Sequence, residues 1–252
     1  MGEDYNIQYI SNFKLTTHIL FLLVHSCYSD KEDFYMTTMF TEDVICSICS
    51  TKSNHKFVGS TNSFGGSDLD TRPPEMQRST ILYWVQRCPS CNYCSDDISK
   101  CNTTTHAIVK SKEYIQIISD ESMPQTAIPF LALSYEKEQQ QDYSLSAWKA
   151  IHAAWVCDDV RNVEASVKCR IQAIKLINKA IKNGQKLMNQ LGATELIKID
   201  LMRRIELFDD ALELCESTIK NGFDEIVKNV LNFEMDLIRL KDNKIHSMEE
   251  IL

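Results

Sequence analysis

Residues 80–91 read TILYWVQRCPSC and residues 46–49 read CSIC, and the two Cys-x-x-Cys pairs in these stretches decide the architecture. A CxxC turn sets two thiolates on one side of a tight knuckle, and two knuckles supply the four soft ligands that zinc takes tetrahedrally. Cys46, Cys49, Cys88 and Cys91 therefore read as one metal site, a zinc ribbon split by residues 50–87. That interval exceeds the compact spacing and suits an inserted hairpin and loop. Four thiolates leave no open position for water or substrate, so the expectation is one structural Zn2+ that supports folding. The competing readings are unligated thiols or a redox dithiol at either pair.

Around the knuckles, residues 44–101 break into short β-prone pieces separated by Gly, Ser, Asn and Pro, notably Ser60 to Gly66 and Arg72 to Pro74. The β-branched and aromatic run from Thr80 to Arg87 is the expected strand leading into Cys88, with Phe57 and Val58 marking its partner. Cys94 extends the second knuckle to CxxCxxC and Cys101 follows. Either is a candidate substitute ligand or redox thiol, beside the simpler reading as spare cysteines. His55 and His106 lack a ligand spacing that competes with the four thiolates.

Upstream, residues 1–40 read as an extension. Its apolar stretch from Ile19 to Val24 is too short for a membrane span of roughly 20 apolar residues, and an amphipathic helix from about Leu15 to Tyr28 fits the pattern. The start before it is acidic and lacks the cleavage site of a secretory signal. The domain proper is expected to begin near Met36, which would make the preceding stretch an appendage. The ribbon then occupies residues 41–105 and a connector residues 106–126.

From residue 127 to residue 252, Ala, Leu, Ile, Met, Glu and Lys recur at helical spacing, punctuated by Gly184, Gly192 and Gly222. Two stretches look alike: AAWVCDDVRNVEASVKC, residues 153–169, and IDLMRRIELFDDALELC, residues 199–215. Each reads as a helix, a polar turn and a second helix. Ala165 and Cys169 in one, and Ala211 and Cys215 in the other, put small residues on one helical face where a neighbour can approach closely. The pattern resembles tetratricopeptide repeats, though the matching alanines lie farther apart than the usual repeat of about 34 residues. The fold class expected is α+β, mostly α: a small N-terminal zinc-ribbon β module followed by an all-α tetratricopeptide-like helical-hairpin domain.

Composition narrows the function classes. The 252 residues carry a formal net charge of -8, which argues against a broad nucleic-acid footprint. The ten cysteines are better explained by metal binding and by reduced core thiols at Cys157, Cys169 and Cys215 than by a disulfide framework, and the cytoplasm is the expected compartment.

The segment GGSDLDTRPPEMQRSTILYWVQRCPSC, residues 65–91, taken with the upstream CSIC and the later AAWVCDD at Ala153 to Asp159, resembles the bacterial domain-of-unknown-function 2225 family from about Cys46 to the C-terminus. The chain departs from that family's pattern with Ser47 and Ser50 where Pro and Gly are frequent, and with Asn92 and Cys94 after the second knuckle. Asn can take the left-handed turn usually given to Gly. The resemblance implies a zinc ribbon joined to helical repeats and assigns no reaction.

Asp68, Asp70, Arg72, Glu75 and Arg78 crowd one loop. Close carboxylates can act as general acid and base, but the chain has no GxSxG, GxxxxGK or HExxH to go with them. The preferred reading is that Asp70 and Arg72 pair with each other or with Arg78 to pin the ribbon loop on the helical half, Pro73 and Pro74 stiffening its exit. Asp158, Asp159 and Asn162 are expected to cap the next helix. The leading function is an interaction or scaffold protein, with no evident catalytic activity, that takes a protein partner on its helical face. Two alternatives stand beside it. One is a nucleic-acid-associated module using Arg72, Arg78, Arg87, Tyr83 and Trp84; the other is a redox-responsive regulator using Cys94 or Cys101.

Overall fold

The computed structural model describes residues 37–251; the helix anticipated over residues 15–28 and the start near Met36 lie outside them. Strand β1 (Thr38–Ile45) pairs antiparallel with β2 (Lys52–Ser60), and the turn between them is the first CxxC. The first strand thus begins within the stretch read as extension. Phe40 stands opposite Phe57 and their rings stack at 5.4 Å. Phe57 and Val58 are partners of Phe40 and Met39, so they do not pair with residues 80–87. Most of this hairpin is exposed on both faces, and a two-stranded ribbon is marginal in water without further support.

The first half of the strand expected over Thr80–Arg87 is replaced by a 3-10 helix, Arg78–Tyr83. Its backbone bonds close locally, from Thr80 N to Gln77 O at 3.0 Å and from Trp84 N to Ile81 O at 3.1 Å. Thr80 and Ile81 are buried in succession while Leu82 and Tyr83 face solvent, a pattern that cannot alternate across a sheet. The β propensity of this run reflects side chains that suit a pleated surface, and among the described residues no strand pairs with Thr80–Val85. Only β3 (Gln86–Arg87) remains extended, pairing antiparallel with β4 (Cys94–Ser95) around the second CxxC.

Eight helices follow among the described residues. Two short ones, α1 (Thr105–Val109) and α2 (Lys112–Ile118), occupy the stretch read as a connector. Then come α3 (Ile128–Gln139), α4 (Tyr143–Asp159), α5 (Val163–Lys182), α6 (Ala193–Arg204), α7 (Phe208–Thr218) and α8 (Glu225–Arg239). Asp142, Asn162 and Asp224 cap α4, α5 and α8 by accepting from the backbone NH of Leu145, Ala165 and Val227, which satisfies donors that the first helical turn leaves free. The two look-alike stretches form the α4–α5 and α6–α7 hairpins. Ala147, Ala150, Ala154, Ala165 and Ala173 are fully buried between α4 and its neighbours, and their lack of bulk lets the helix axes approach.

Four turns repeat one geometry. Gln141, Arg161, Glu206 and Lys241 each take positive φ directly after a helix. In each, that residue's NH and the next one's reach back to the last helical turn, as in Arg161 N to Asp158 O at 2.9 Å and Asn162 N to Cys157 O at 2.9 Å. This double bond pattern is the Schellman helix stop. The core is continuous from the ribbon into α3–α5: Cys46, Cys88, Tyr93 and Ile98 belong to the same buried cluster as Phe130, Leu133 and Ile151. A second cluster of Ile199, Ala211, Cys215 and Leu231 joins α6, α7 and α8.

Candidate metal centre

The two CxxC turns are built alike. In the first, Ser50 N bonds to Cys46 O at 2.8 Å and Cys46 N to Thr51 O at 2.9 Å; in the second, Asn92 N bonds to Cys88 O at 3.0 Å and Cys88 N to Tyr93 O at 2.8 Å. Ser50 and Asn92 both adopt left-handed conformations, with φ of 60° and 59°, at the position that reverses the chain behind the second cysteine. The four Sγ atoms of Cys46, Cys49, Cys88 and Cys91 all lie within 4.8 Å of one another. Cys46 and Cys91 are 3.6 Å apart, as are Cys49 and Cys88. A tetrahedron of sulfurs at about 2.3 Å from zinc has edges of about 3.8 Å, so the donor set fits such an ion in number, chemistry and spacing.

Crowding and burial divide the thiols. The Thr51 hydroxyl and backbone beside Cys49 bring that exposed thiol down to about 6, whereas burial pushes Cys46 and Cys91 up. A cation at the centre of four sulfurs would hold them all as thiolates. The second knuckle is also clamped by helix α2, since the Tyr114 hydroxyl accepts from Cys94 N at 3.0 Å and donates to Asn92 O at 3.1 Å. The first knuckle is tied by hydrogen bonds to Ile98, Ser47 N bonding to Ile98 O at 2.8 Å and its Oγ to the same oxygen at 3.0 Å, while Cys46 and Ile48 pack into the main core.

Cys94 and Cys101 are not part of the thiol cluster. Cys94 is fully buried, its thiol pushed up to about 12 by desolvation and directed at Asn92 O. Cys101 is exposed. His55 bonds to Ser53 Oγ across one face of β2, and His106 lies exposed on α1.

The charged loop after β2 runs into the helical half. Arg72, 3 % exposed, sends one guanidinium nitrogen to both oxygens of Asp159, at 2.6 and 2.7 Å. Asp70, 1 % exposed, accepts from Trp155 Nε1 at 2.6 Å, and Arg204 stands 3.7 Å away. Arg78 binds Asp68 at 2.6 Å and Pro73 O at 2.8 Å. The expected Asp70–Arg72 pairing is thus confined to the Arg72 backbone NH, at 3.2 Å from Asp70 Oδ1, because the guanidinium finds a full carboxylate on α4 instead. Asp158 and Asp159 do not cap α5, a task left to Asn162. Asp158 accepts from Ser166 and from the guanidinium groups of Arg170 and Arg204; burial pushes its carboxyl up, but these partners together hold it low.

Trp84 bonds to the Thr80 hydroxyl at 2.8 Å and meets His152 edge-on at 5.1 Å. Trp148, Trp155 and Phe130 pack around the same imidazole, which burial keeps neutral. Arg170 and Arg204 belong to no motif in the sequence. Their signal is present all the same: each is a charge placed on the buried side of a helix, where only pairing makes it tolerable.

A mostly helical α+β chain in which paired cysteine knuckles bring together four thiols able to hold a metal ion is the class defined by this fold and site. The sequence profile of the family described as "Uncharacterized protein conserved in bacteria (DUF2225)" matches residues 39–233, and the chain belongs to that family. No curated protein matches the chain, and no solved structure does. Among the described residues no helix is long and apolar enough to cross a membrane.

Proposed function

We propose that the protein is a zinc-stabilised interaction module in which a single structural Zn2+ bound by Cys46, Cys49, Cys88 and Cys91 holds the ribbon against tetratricopeptide-like helical hairpins, and that the combined surface receives a protein partner. The observation that carries the metal assignment is the equivalence of the two knuckles, with sulfurs at 3.6 Å in two pairs. With all four ligands supplied by protein, the ion serves folding. Support for a partner surface comes from apolar side chains left in water along the ribbon: Phe40 at 45 %, Phe64 at 61 % and Leu82 at 52 % exposure. Beside them a groove of about 290 Å³ lies between the hairpin base and the 3-10 helix, lined by Met39, Met76 and Tyr83. Apolar clusters of this kind mark contact surfaces on many soluble proteins.

Metal analysis of chain purified without metal-affinity resin tests the first half. One zinc per chain, lost together with hairpin structure in a Cys88→Ser, Cys91→Ser variant, is expected; zinc unaffected by the substitutions overturns the site. For the second half, the wild type and a Met39→Asp, Tyr83→Asp variant of equal zinc content are compared in capture from cell extract. A protein retained by the first and lost by the second is expected, and identical recovery by both removes the partner surface.

A further inference from the structure

Away from the metal centre, α4 and α5 each bring one cysteine to their shared interface. Cys157 and Cys169 are free thiols, 0 % and 1 % exposed, with their sulfurs 3.9 Å apart. The helices that carry them are held close by buried alanines and joined by a tight turn. Burial alone would keep such a pair inert, but Cys169 also forms part of the wall of a cavity of about 230 Å³ between α2, α3 and α5, shared with Met123, Leu131, Ser134, Tyr135 and Gln172. A molecule little larger than water fits this space.

We propose that Cys157 and Cys169 form a dithiol that hydrogen peroxide oxidises to a disulfide, a modification site that locks α4 to α5 independently of the metal centre. The two sulfurs lie within hydrogen-bonding reach, and the contact holds the Cys157 thiol below its usual range and Cys169 above its own, so that Cys157 can serve as the base for its neighbour. Peroxide in the cavity meets Cys169: its proton passes to the Cys157 sulfur as the Cys169 sulfur attacks one peroxide oxygen. The O–O bond breaks, and the departing hydroxide takes up a proton to become water. Cys157 then attacks the sulfenyl sulfur of Cys169, the S–S bond forms as the S–O bond breaks, and a second water leaves with the Cys157 proton. The two thiols lose two electrons and the peroxide gains them.

The test treats the full zinc-loaded chain with graded hydrogen peroxide, then denatures it, alkylates remaining thiols and maps cysteines by mass spectrometry without reductant. The exposed Cys101 reports the oxidant dose. A peptide pair joined through Cys157 and Cys169, two hydrogens lighter than its parts and abolished by reductant, is expected. It should be absent from a Cys169→Ala variant, whose smaller side chain suits the close-packed helix face. Complete alkylation of both residues at doses that oxidise Cys101, or either residue joined to a different cysteine, overturns the proposal.

Discussion

Asp70 shows how much a single buried carboxyl can decide. Its burial, reinforced by the negative charge of Asp200, pushes the carboxyl up to about 6, against the opposing pull of Arg204 and Arg170. A group that binds its proton more tightly folded than unfolded stabilises the fold below its unfolded value near 3.8, and that contribution is lost as pH rises through about 6. An Asp70→Asn variant keeps an acceptor for Trp155 Nε1 but cannot ionise. Its stability relative to wild type should therefore improve on going from pH 4 to pH 7, by at most about 3 kcal/mol, which urea unfolding across that range would reveal; a flat difference would mean the arginines hold Asp70 ionised throughout. Arg72 is the neighbouring case. Truncation to Ala removes the loop's ion pair with Asp159 and a donor to Trp155 O, and since Asp159 is 44 % exposed the loss should be about 2–3 kcal/mol rather than the full cost of a buried pair. Denaturant midpoints measure it, and Arg72→Lys should recover only part because one ammonium cannot serve Asp159 and Trp155 O together as the two guanidinium nitrogens do. The crowding of Asp68, Asp70, Arg72 and Arg78 was visible in the sequence because they are adjacent. Their partners Trp155, Asp159 and Arg204 were not, because nothing local in α4 or α6 records which loop will land there.

At the scale of elements, helix stops separate what periodicity reveals from what it hides. Gly184, Gly192 and Gly222 all take positive φ, as punctuation by glycine suggests, and Gly192 is further required because a Cβ there would meet Val227 Cγ1 at 2.9 Å. The turns that build the hairpins instead place Gln141, Arg161, Glu206 and Lys241 in the left-handed region, where side chains other than Gly and Asn give no warning. Each such residue carries steric strain of order 1 kcal/mol that glycine would relieve. Lys241→Gly, at an exposed position, should therefore raise stability by about 0.5–1 kcal/mol in equilibrium unfolding, and a loss would show that the lysine side chain contributes more than its backbone costs. The same reasoning explains the misread strand. TILYWVQR has the composition of a strand, but a strand is made by its neighbour, and the residues that looked like its partner were taken by β1.

For the whole molecule, the question is which half depends on the other. The second knuckle is embedded: Cys88 and Cys94 share a core with α3 and α4, and Tyr114 bonds to its backbone. The first knuckle reaches that core through Cys46 and Ile48 and bonds to Ile98 through Ser47, but the hairpin it closes is exposed along most of both strands. The CxxC spacing made the cluster legible from sequence, since ligand chemistry imposes a local pattern, whereas this asymmetry is set by tertiary packing and leaves no such mark. It predicts an ordered response to metal removal. Strong chelator should raise backbone hydrogen exchange across β1 and β2 toward unprotected rates, leave α4 and α5 protected, and leave residues 86–95 between the two, because a marginal hairpin loses the crosslink that sets its register while the helical core keeps its buried surface. Exchange measured by mass spectrometry with and without chelator resolves these segments. Uniform deprotection would mean that the metal centre and the helices fold as one unit, and no change anywhere would mean that the four thiols hold the knuckles together without an ion.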